Sequence, residues 1–517
     1  MVGKYLLATL GCKVNQYESQ QIRELIESCG LRPACPGDVP DIAVVNTCAV
    51  TGQASRKNRQ TIRRVAQGGR TPVIVVGCGA AADAAQLGRL EGVTAVLGHD
   101  VNICAELRGL IVRQLESQPT YPAGDANHAA QATHDRPDAY RYDVSIRPDA
   151  RNRGHQAWAP RSTSSRDIIT PVSDVKADGV LTTRIERFTG HQRAFLKVQD
   201  GCDASCTYCI IPRLRSRLRS KPIEVAVAET QDLIRSGHKE IIVTGIFLGA
   251  YGRDTTIRKR WGSRRSLLAA LVAALAQVEG LRRLRLSSLE PGDVDGSLLD
   301  VLARHKTCVP HLHLPLQSGS ADILRRMNRQ YTRDQFIDMI DRVRAALNQP
   351  AITTDIIVGF PCESEEDFQA SLEIARYAEF CKIHAFPFSP REKTAAARWQ
   401  QDFVHPTVVR QRMRRLAEVE RECSLSFRRR LLGEVERVIV EGSNKLDKQT
   451  SVRQHIRRGR ADRYFEIHFE ADDVHAGDLV PVRIDRVTPT RTLGTYLRTT
   501  IRSSSTKGDA TQNRSLL

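Results

Sequence analysis

From residue 194 to residue 386 the chain repeats one unit, a short, largely apolar run followed by a segment with helical periodicity. The runs are Ala194–Val198, Glu240–Thr244, Leu284–Ser287, His311–Leu314, Thr354–Val358 and Lys382–Phe386. Helical spacing of apolar residues fits at Ile223–Ser236, Ser266–Val278, Ser320–Met327, Arg333–Leu347 and Glu365–Ala378. Parallel strands require crossovers long enough to be helices, so this alternation specifies a parallel α/β architecture. Six units predict an incomplete (β/α)6 barrel, in which reactive groups sit at the strand carboxyl ends.

A smaller α/β unit precedes the barrel. Lys4–Leu10, Ile42–Asn46 and Val73–Val76 read as strands, Gln20–Cys29 and Gln53–Gln67 as helices. Cys12, Cys48 and Cys78 each lie two residues past one of those strands. Parallel sheets bind ligands outside their strand carboxyl ends, so three distant thiols are expected to meet at one edge. Burial as core cysteines is the alternative. After the barrel, a basic helix around Thr407–Leu431 leads into short strands at Glu434–Glu441, Tyr464–Glu470, Leu479–Val487 and Thr492–Leu497, the pattern of a small OB-like β-barrel. The expected division is 1–116, an N-terminal parallel-sheet α/β domain; 117–187, a Pro-, Ser- and Arg-rich insertion expected to be disordered; 188–431, the barrel; 432–500, the β-barrel; and 501–517, a polar tail.

The first barrel strand runs into Gly201-Cys202-Asp203-Ala204-Ser205-Cys206-Thr207-Tyr208-Cys209. Three thiolates spaced C-x3-C-x2-C can hold three irons of a 4Fe-4S cluster and leave the fourth open. A structural zinc site needs a fourth ligand, and the next Cys or His is His238. The 13 cysteines fall in a chain with no signal-peptide pattern and no apolar stretch long enough to span a bilayer, so a cytoplasmic protein with metal or redox chemistry is expected rather than a disulfide scaffold. Lys and Arg outnumber Asp and Glu 77 to 59, a net charge of +18 that favours a polyanion, nucleic acid first.

These motifs resemble the radical S-adenosylmethionine (SAM) methylthiotransferase family. The resemblance rests on Lys197-Val198-Gln199-Asp200-Gly201-Cys202 and Cys206-Thr207-Tyr208-Cys209-Ile210-Ile211-Pro212, on Thr9-Leu10-Gly11-Cys12-Lys13-Val14-Asn15-Gln16-Tyr17-Glu18-Ser19, Asn46-Thr47-Cys48-Ala49-Val50-Thr51 and Gly77-Cys78, on His311–Ser320, and on Thr354-Asp355-Ile356-Ile357-Val358-Gly359-Phe360-Pro361. It implies a central radical SAM core and a C-terminal TRAM domain that binds RNA. It implies two 4Fe-4S clusters, one held by Cys202, Cys206 and Cys209 with SAM on its open iron, the other an auxiliary cluster on Cys12, Cys48 and Cys78. Within the family the details look most like the MtaB branch, which methylthiolates C2 of N6-threonylcarbamoyladenosine at tRNA position 37. Isopentenyladenosine in tRNA, a ribosomal-protein aspartate, and an iron–sulfur RNA-binding protein without turnover are the alternatives. The expected partners are the tRNA anticodon loop, a sulfur donor and an electron donor of the flavodoxin or ferredoxin type, and no membrane.

Beyond the clusters no side chain is assigned as catalytic. SAM contacts are expected at Tyr208, Thr244, Gly245, Ser288 and Gln317, with Glu290 and Asp355 as strand-end carboxylates able to meet its amino group or ribose or simply to form salt bridges. Two residues depart from the family pattern: Cys362 stands where glycine follows Gly-Phe-Pro, and Phe247 replaces a histidine. A tRNA track is expected along Arg56–Arg64, Arg213, Arg215, Arg217, Arg219, Lys221, Arg410–Arg415, Arg428–Arg430 and Arg453–Arg460.

Overall fold

The computed structural model describes residues 3–99, 102–116, 183–253, 266–443 and 456–498. The expected insertion lies almost wholly outside these residues, as do the tail and Arg453. The N-terminal unit is a parallel five-stranded sheet, ordered β2-β1-β3-β4-β5. Its strands are β1 (Lys4–Thr9), β2 (Arg32–Pro33), β3 (Ile42–Thr47), β4 (Val73–Gly77) and β5 (Val93–Leu97), and its helices α1 (Lys13–Ser28), α2 (Gly52–Ala66), α3 (Cys78–Gly88) and α4 (Ile103–Glu116). Side chains alternate across the sheet. Val44, Ile74 and Val76 join Ile22, Ile26, Leu107 and Ile111 in one core, while Ala43, Val45, Val73 and Val75 join Ile62, Val65 and Leu87 in another. Both central strands are buried along their whole length.

Six parallel strands follow in chain order. They are β6 (Ala194–Asp200), β8 (Glu240–Gly245) and β9 (Arg283–Leu286), then β10 (His311–His313), β11 (Ala351–Val358) and β12 (Lys382–Pro387), with β7 (Arg219–Ser220) antiparallel on the edge of β6. The two sheets join where Leu284 N–H donates to Thr307 O (2.8 Å) and Leu289 N–H to His313 O (3.1 Å). This is the expected partial barrel. Around it lie α5 (Ile211–Leu214), α6 (Ile223–Arg235), α7 (Leu268–Ala276), α8 (Gly296–Arg304), α9 (Ala321–Arg326), α10 (Arg333–Ala346), α11 (Glu365–Tyr377) and the long α12 (Pro406–Arg429). Capping boxes at Thr332–Gln335 and Ser364–Asp367 start α10 and α11. One set of alternate strand residues, including Leu196, Val198, Leu284, Leu286, Leu312, Ile352 and Ile356, packs under the helices. The other set is polar and lines the interior: Lys197, Gln199, Arg283, Arg285, His311, His313, Thr353 and Asp355.

The last unit is a closed barrel, β13-β14-β15-β17-β16, from β13 (Val435–Ser443), β14 (Ile456–Ala461), β15 (Glu466–Glu470), β16 (Leu479–Val487) and β17 (Thr492–Tyr496). It docks on the core through buried arginines. Arg283 donates to the carbonyls of Arg437, Arg460 and Ala461, and Arg285 to Asp462 O at 2.9 Å. Glu240 balances both, at 2.9 and 2.8 Å. Tyr464, at the tip between β14 and β15, stacks on His311 with ring centroids 4.5 Å apart. Among the described residues no helix is long and apolar enough to cross a membrane.

Candidate active site

The first thiol trio stands at the carboxyl edge of the N-terminal sheet. Cys12 caps the start of α1, Cys48 directly follows β3, and Cys78 opens α3. The loops carrying Cys12 and Cys48 are pressed together. A side chain at Gly11 (φ +109°) would have its Cβ 3.1 Å from Cys48 Sγ, so only glycine permits this approach. Asn15 ties the loops further, its amide donating to Leu10 O (2.8 Å) and Thr47 O (2.9 Å). Asn58 holds Cys48 from the other side, exchanging hydrogen bonds with its backbone N–H and C=O. His99 Nε2 lies 3.4 Å from Cys78 Sγ.

The second trio follows β6. Ala204 N–H donates to Cys202 Sγ at 3.4 Å, and Arg329 donates to Cys206 Sγ at 3.3 Å while its other nitrogen holds Glu290 at 2.9 Å. Thr207 is anchored to the end of α9 through the Met327 carbonyl (3.0 Å). Burial pushes the thiols of Cys48, Cys202 and Cys209 up to about 12, so in the metal-free fold they are protonated and ligation requires proton release.

The two trios adjoin. Ile210, next to Cys209, packs in one cluster with Cys78 and Ala49. Arg215, six residues past Cys209, donates to Cys78 Sγ at 3.3 Å. The same guanidinium grips Glu18 of α1 with two 2.8 Å bonds and Asp200 with a third. Lys197 completes the group, 2.7 Å from Glu18 and 2.9 Å from Asp200. The adjacent cations hold the Glu18 carboxyl down near 2 and Asp200 well below its usual range, against the opposing pull of burial. Among the described residues no three Cys, His, Asp or Glu converge tightly enough to hold a single metal ion. A four-iron cluster makes a different demand, each thiolate binding its own iron. Cationic and N–H donors aimed at sulfur suit thiolates in such a cluster, and the residues present fit it.

Comparison with known proteins shows the family. Residues 196–375 match the radical SAM superfamily, and residues 4–98 match "Uncharacterized protein family UPF0004". The threonylcarbamoyladenosine tRNA methylthiotransferase MtaB of Bacillus subtilis is 32% identical over 479 residues, 92% of each chain. The chain belongs to the radical SAM methylthiotransferases. Another MtaB, from Thermotoga maritima, is 32% identical over 84% of this chain and 86% of its own. A tRNA-2-methylthio-N(6)-dimethylallyladenosine synthase of Frankia alni is 32% identical over 95% and 88%.

In this methylthiotransferase the expected SAM contacts are unequal. Tyr208 packs edge-on to Phe360 with its hydroxyl 3.4 Å from Arg329, beside Cys206. Gln317, four residues past β10, has φ +62° on a non-glycine residue, and its backbone bridges β11 through Asp355 O and Ile357 N–H. Thr244 is buried and Ser288 exposed. Gly245 has a packing reason of its own, since a Cβ there would meet Gln199 at 2.9 Å. Glu290 is engaged by Arg329, and Asp355 lies 3.3 Å from His313. Phe247 is buried against Leu218, Ala250 and Cys202. Cys362 is exposed with φ +67°, which accounts for the glycine usual at that position.

The expected basic track needs correction. Arg215, Lys221, Arg412 and Arg428 are buried and spent internally. Lys221 is held by Glu229 and Tyr17, Arg412 by Glu363, and Arg428 caps the carbonyls of Thr488, Pro489 and Arg491. Arg457 and Arg460 belong to β14 and donate to Ala471 O and Tyr464 O. Arg56, Arg63, Arg213, Arg217, Arg410 and Arg414 remain exposed. Sequence reasoning missed Arg329, and it held Asn15, Glu18, Lys197 and Asp200 only as members of family-like motifs without a role, because a single polar residue gives no signal of its partner.

Proposed function

We propose that the chain transfers a methylthio group to C2 of N6-threonylcarbamoyladenosine at tRNA position 37. The observation that carries this reading is the contact between the trios, with Arg215 and Ile210 of the second motif against Cys78 of the first. Cys202, Cys206 and Cys209 would hold the SAM-binding cluster, and Cys12, Cys48 and Cys78 the auxiliary one. When bound, the clusters and SAM supply a carbon-centred radical for hydrogen abstraction and a methylated sulfur for transfer. The chain's own residues do the positioning. Arg329 and Arg215 direct positive charge at a sulfur of each trio. Helix α1 packs against β6 and β8 and shields the junction from water. Tyr208, Thr244, Gly245, Ser288 and Gln317 frame the place for SAM at the strand ends. The exposed arginines beside the cysteine loops would take phosphates of the anticodon arm, with a sulfur donor and a low-potential electron donor as further partners.

The likeness to the MtaB proteins supports threonylcarbamoyladenosine; the likeness to the dimethylallyladenosine synthase supports a second reading, isopentenyladenosine. Mass spectrometry of tRNA nucleosides from a deletion strain separates them. Loss of the 2-methylthio form of threonylcarbamoyladenosine, with its precursor accumulating, is expected. Loss of only the isopentenyl product would transfer the assignment to the second reading. The two-cluster assignment predicts about eight irons per reconstituted chain and about four in Cys48→Ala.

A further inference from the structure

The Cys78 sulfur is met from two sides. On one stands Arg215, from the loop after the second trio, whose Nε–H donates to it at 3.3 Å. On the other stands His99, whose Nε2 lies 3.4 Å from the same sulfur. Sheet register puts His99 there. β4 and β5 run parallel, with Val76 paired to Leu97. Two residues further on, just past the ends of both strands, Cys78 and His99 stand level at the carboxyl edge. Burial of Val76 and Leu97 in one core fixes that level, and Cys78 itself is only 4% exposed. The contact therefore comes from the backbone framework of the N-terminal unit and not from a surface side chain that happens to reach across.

Chemistry fixes the direction of this bond. A free thiol can give its hydrogen to an imidazole nitrogen, but a cysteine bound to iron has none to give. On the auxiliary-cluster reading above, on which this inference rests, the sulfur only accepts. A neutral imidazole at this distance then presents its Nε2–H tautomer. Reduction adds one negative charge to a cluster held away from water. A donor aimed at a ligand sulfur stabilises that charge, and hydrogen bonds to sulfur are among the factors that set a cluster's potential. Arg215 shares its charge with Glu18 and Asp200, so the imidazole N–H is a second and separate contribution. We propose that His99 is a positioning residue of the auxiliary cluster, holding the Cys78 sulfur through Nε2–H and raising the potential at which that cluster takes an electron.

The test is an EPR-monitored redox titration of the reconstituted full-length chain as wild type, His99→Phe and His99→Gln, with iron measured for each. A Cys206→Ala chain, whose second trio is broken, assigns the auxiliary signal. His99→Phe keeps a ring and removes the donor. At a fixed potential its auxiliary cluster should show a reduced-to-oxidised ratio about tenfold lower, which is about 59 mV in a one-electron midpoint. The midpoint of the other cluster should stay where it is. His99→Gln, whose side-chain amide can reach the same sulfur, should recover most of the loss. In the wild type made with isotope-labelled histidine, the reduced auxiliary signal should carry a weak nitrogen coupling through the hydrogen bond, a result independent of how any variant folds. A wild type with no cluster at the first trio defeats the two-cluster reading itself. A cluster whose midpoint ignores His99→Phe, or falls equally in His99→Gln, overturns the role of His99 and leaves that reading intact. So does the absence of any nitrogen coupling, and so does a coupling as strong as that of an iron-bound imidazole, because His99 would then be a ligand.

Discussion

Arg215 shows how much of a site hangs on one side chain. It sits in the run Arg213-Leu214-Arg215-Ser216-Arg217-Leu218-Arg219, where every second residue is basic and nothing in the spacing separates a solvated arginine from a buried one. The fold separates them: Arg213 and Arg217 are exposed, and Arg215 is 5% exposed with three carboxylate contacts. Removing it would leave Glu18 and Asp200 facing one another with Lys197 alone to balance both. Arg215→Met is therefore expected to lose about 3–5 kcal/mol of stability, the usual result of orphaning a buried charge, measured by urea unfolding of the metal-free protein. Cys362 makes the opposite case. Its left-handed backbone (φ +67°) costs an L-residue about 1–2 kcal/mol, partly offset by the greater chain entropy of glycine. Cys362→Gly should raise stability by up to about 1 kcal/mol, since the N–H bond to Asp402 O is kept; a fall in the unfolding midpoint would show that the cysteine side chain has a role of its own.

At the scale of elements, legibility followed apolar periodicity. All six barrel strands and five of their helices stood out in the sequence because their buried faces are hydrocarbon. Helix α1 did not: apolar spacing suggested a start at Gln20, whereas it begins at Lys13, directly after Cys12. Its first turns bury Asn15, Glu18 and Ser19, polar residues whose partners come from β1, β3, β6 and the Arg215 loop, and Gln20 and Gln21, which bond to Thr189 and Thr183 ahead of the barrel, and no local pattern reveals these partners. Strand β14 was missed for a related reason. Its arginines resembled a phosphate track, while the pairing with β13 and β15 that makes it a strand is non-local. The position of α1 gives a further prediction. Asn15→Ala removes the side-chain amide that joins the carbonyls of Leu10 and Thr47, and leaving buried acceptors unpaired costs about 1–3 kcal/mol. The loops of Cys12 and Cys48 should loosen together, so iron at the first trio should fall while iron at the second stays. Equal loss at both trios, read by cluster absorbance and iron assay, would mean that α1 supports the whole junction instead.

Across the whole molecule, the sequence showed three units but not how they are joined. Each joint carries a buried ionic group beside its apolar contacts. Glu18, Lys197, Asp200 and Arg215 couple the N-terminal unit to the barrel, and Glu240 with Arg283 and Arg285 couples the barrel to the C-terminal one. Charged residues scattered along 517 positions carry no mark of their partners, so these joints were illegible, although the barrel strands bearing Lys197, Glu240, Arg283 and Arg285 were not. The second joint makes a pH prediction. Arg285 and Arg283 hold the Glu240 carboxyl down to about 2 from its ordinary 4.5, against burial. A carboxylate depressed on folding stabilises the native state above its unfolded value, and that contribution disappears as pH falls through the folded one. The joint should therefore hold at neutral pH and weaken from about pH 4.5 towards pH 2, losing about 3 kcal/mol in total. Hydrogen exchange across β13 and β14, followed from pH 6 to pH 2.5, should show the C-terminal barrel loosening over that window. Glu240→Gln should already be loosened at pH 6, because two buried guanidinium groups lose their anion, and should lose this part of the acid dependence. Unchanged acid dependence in that variant would place the acid-sensitive joint at Glu18 and Asp200 and leave Glu240 a packing residue.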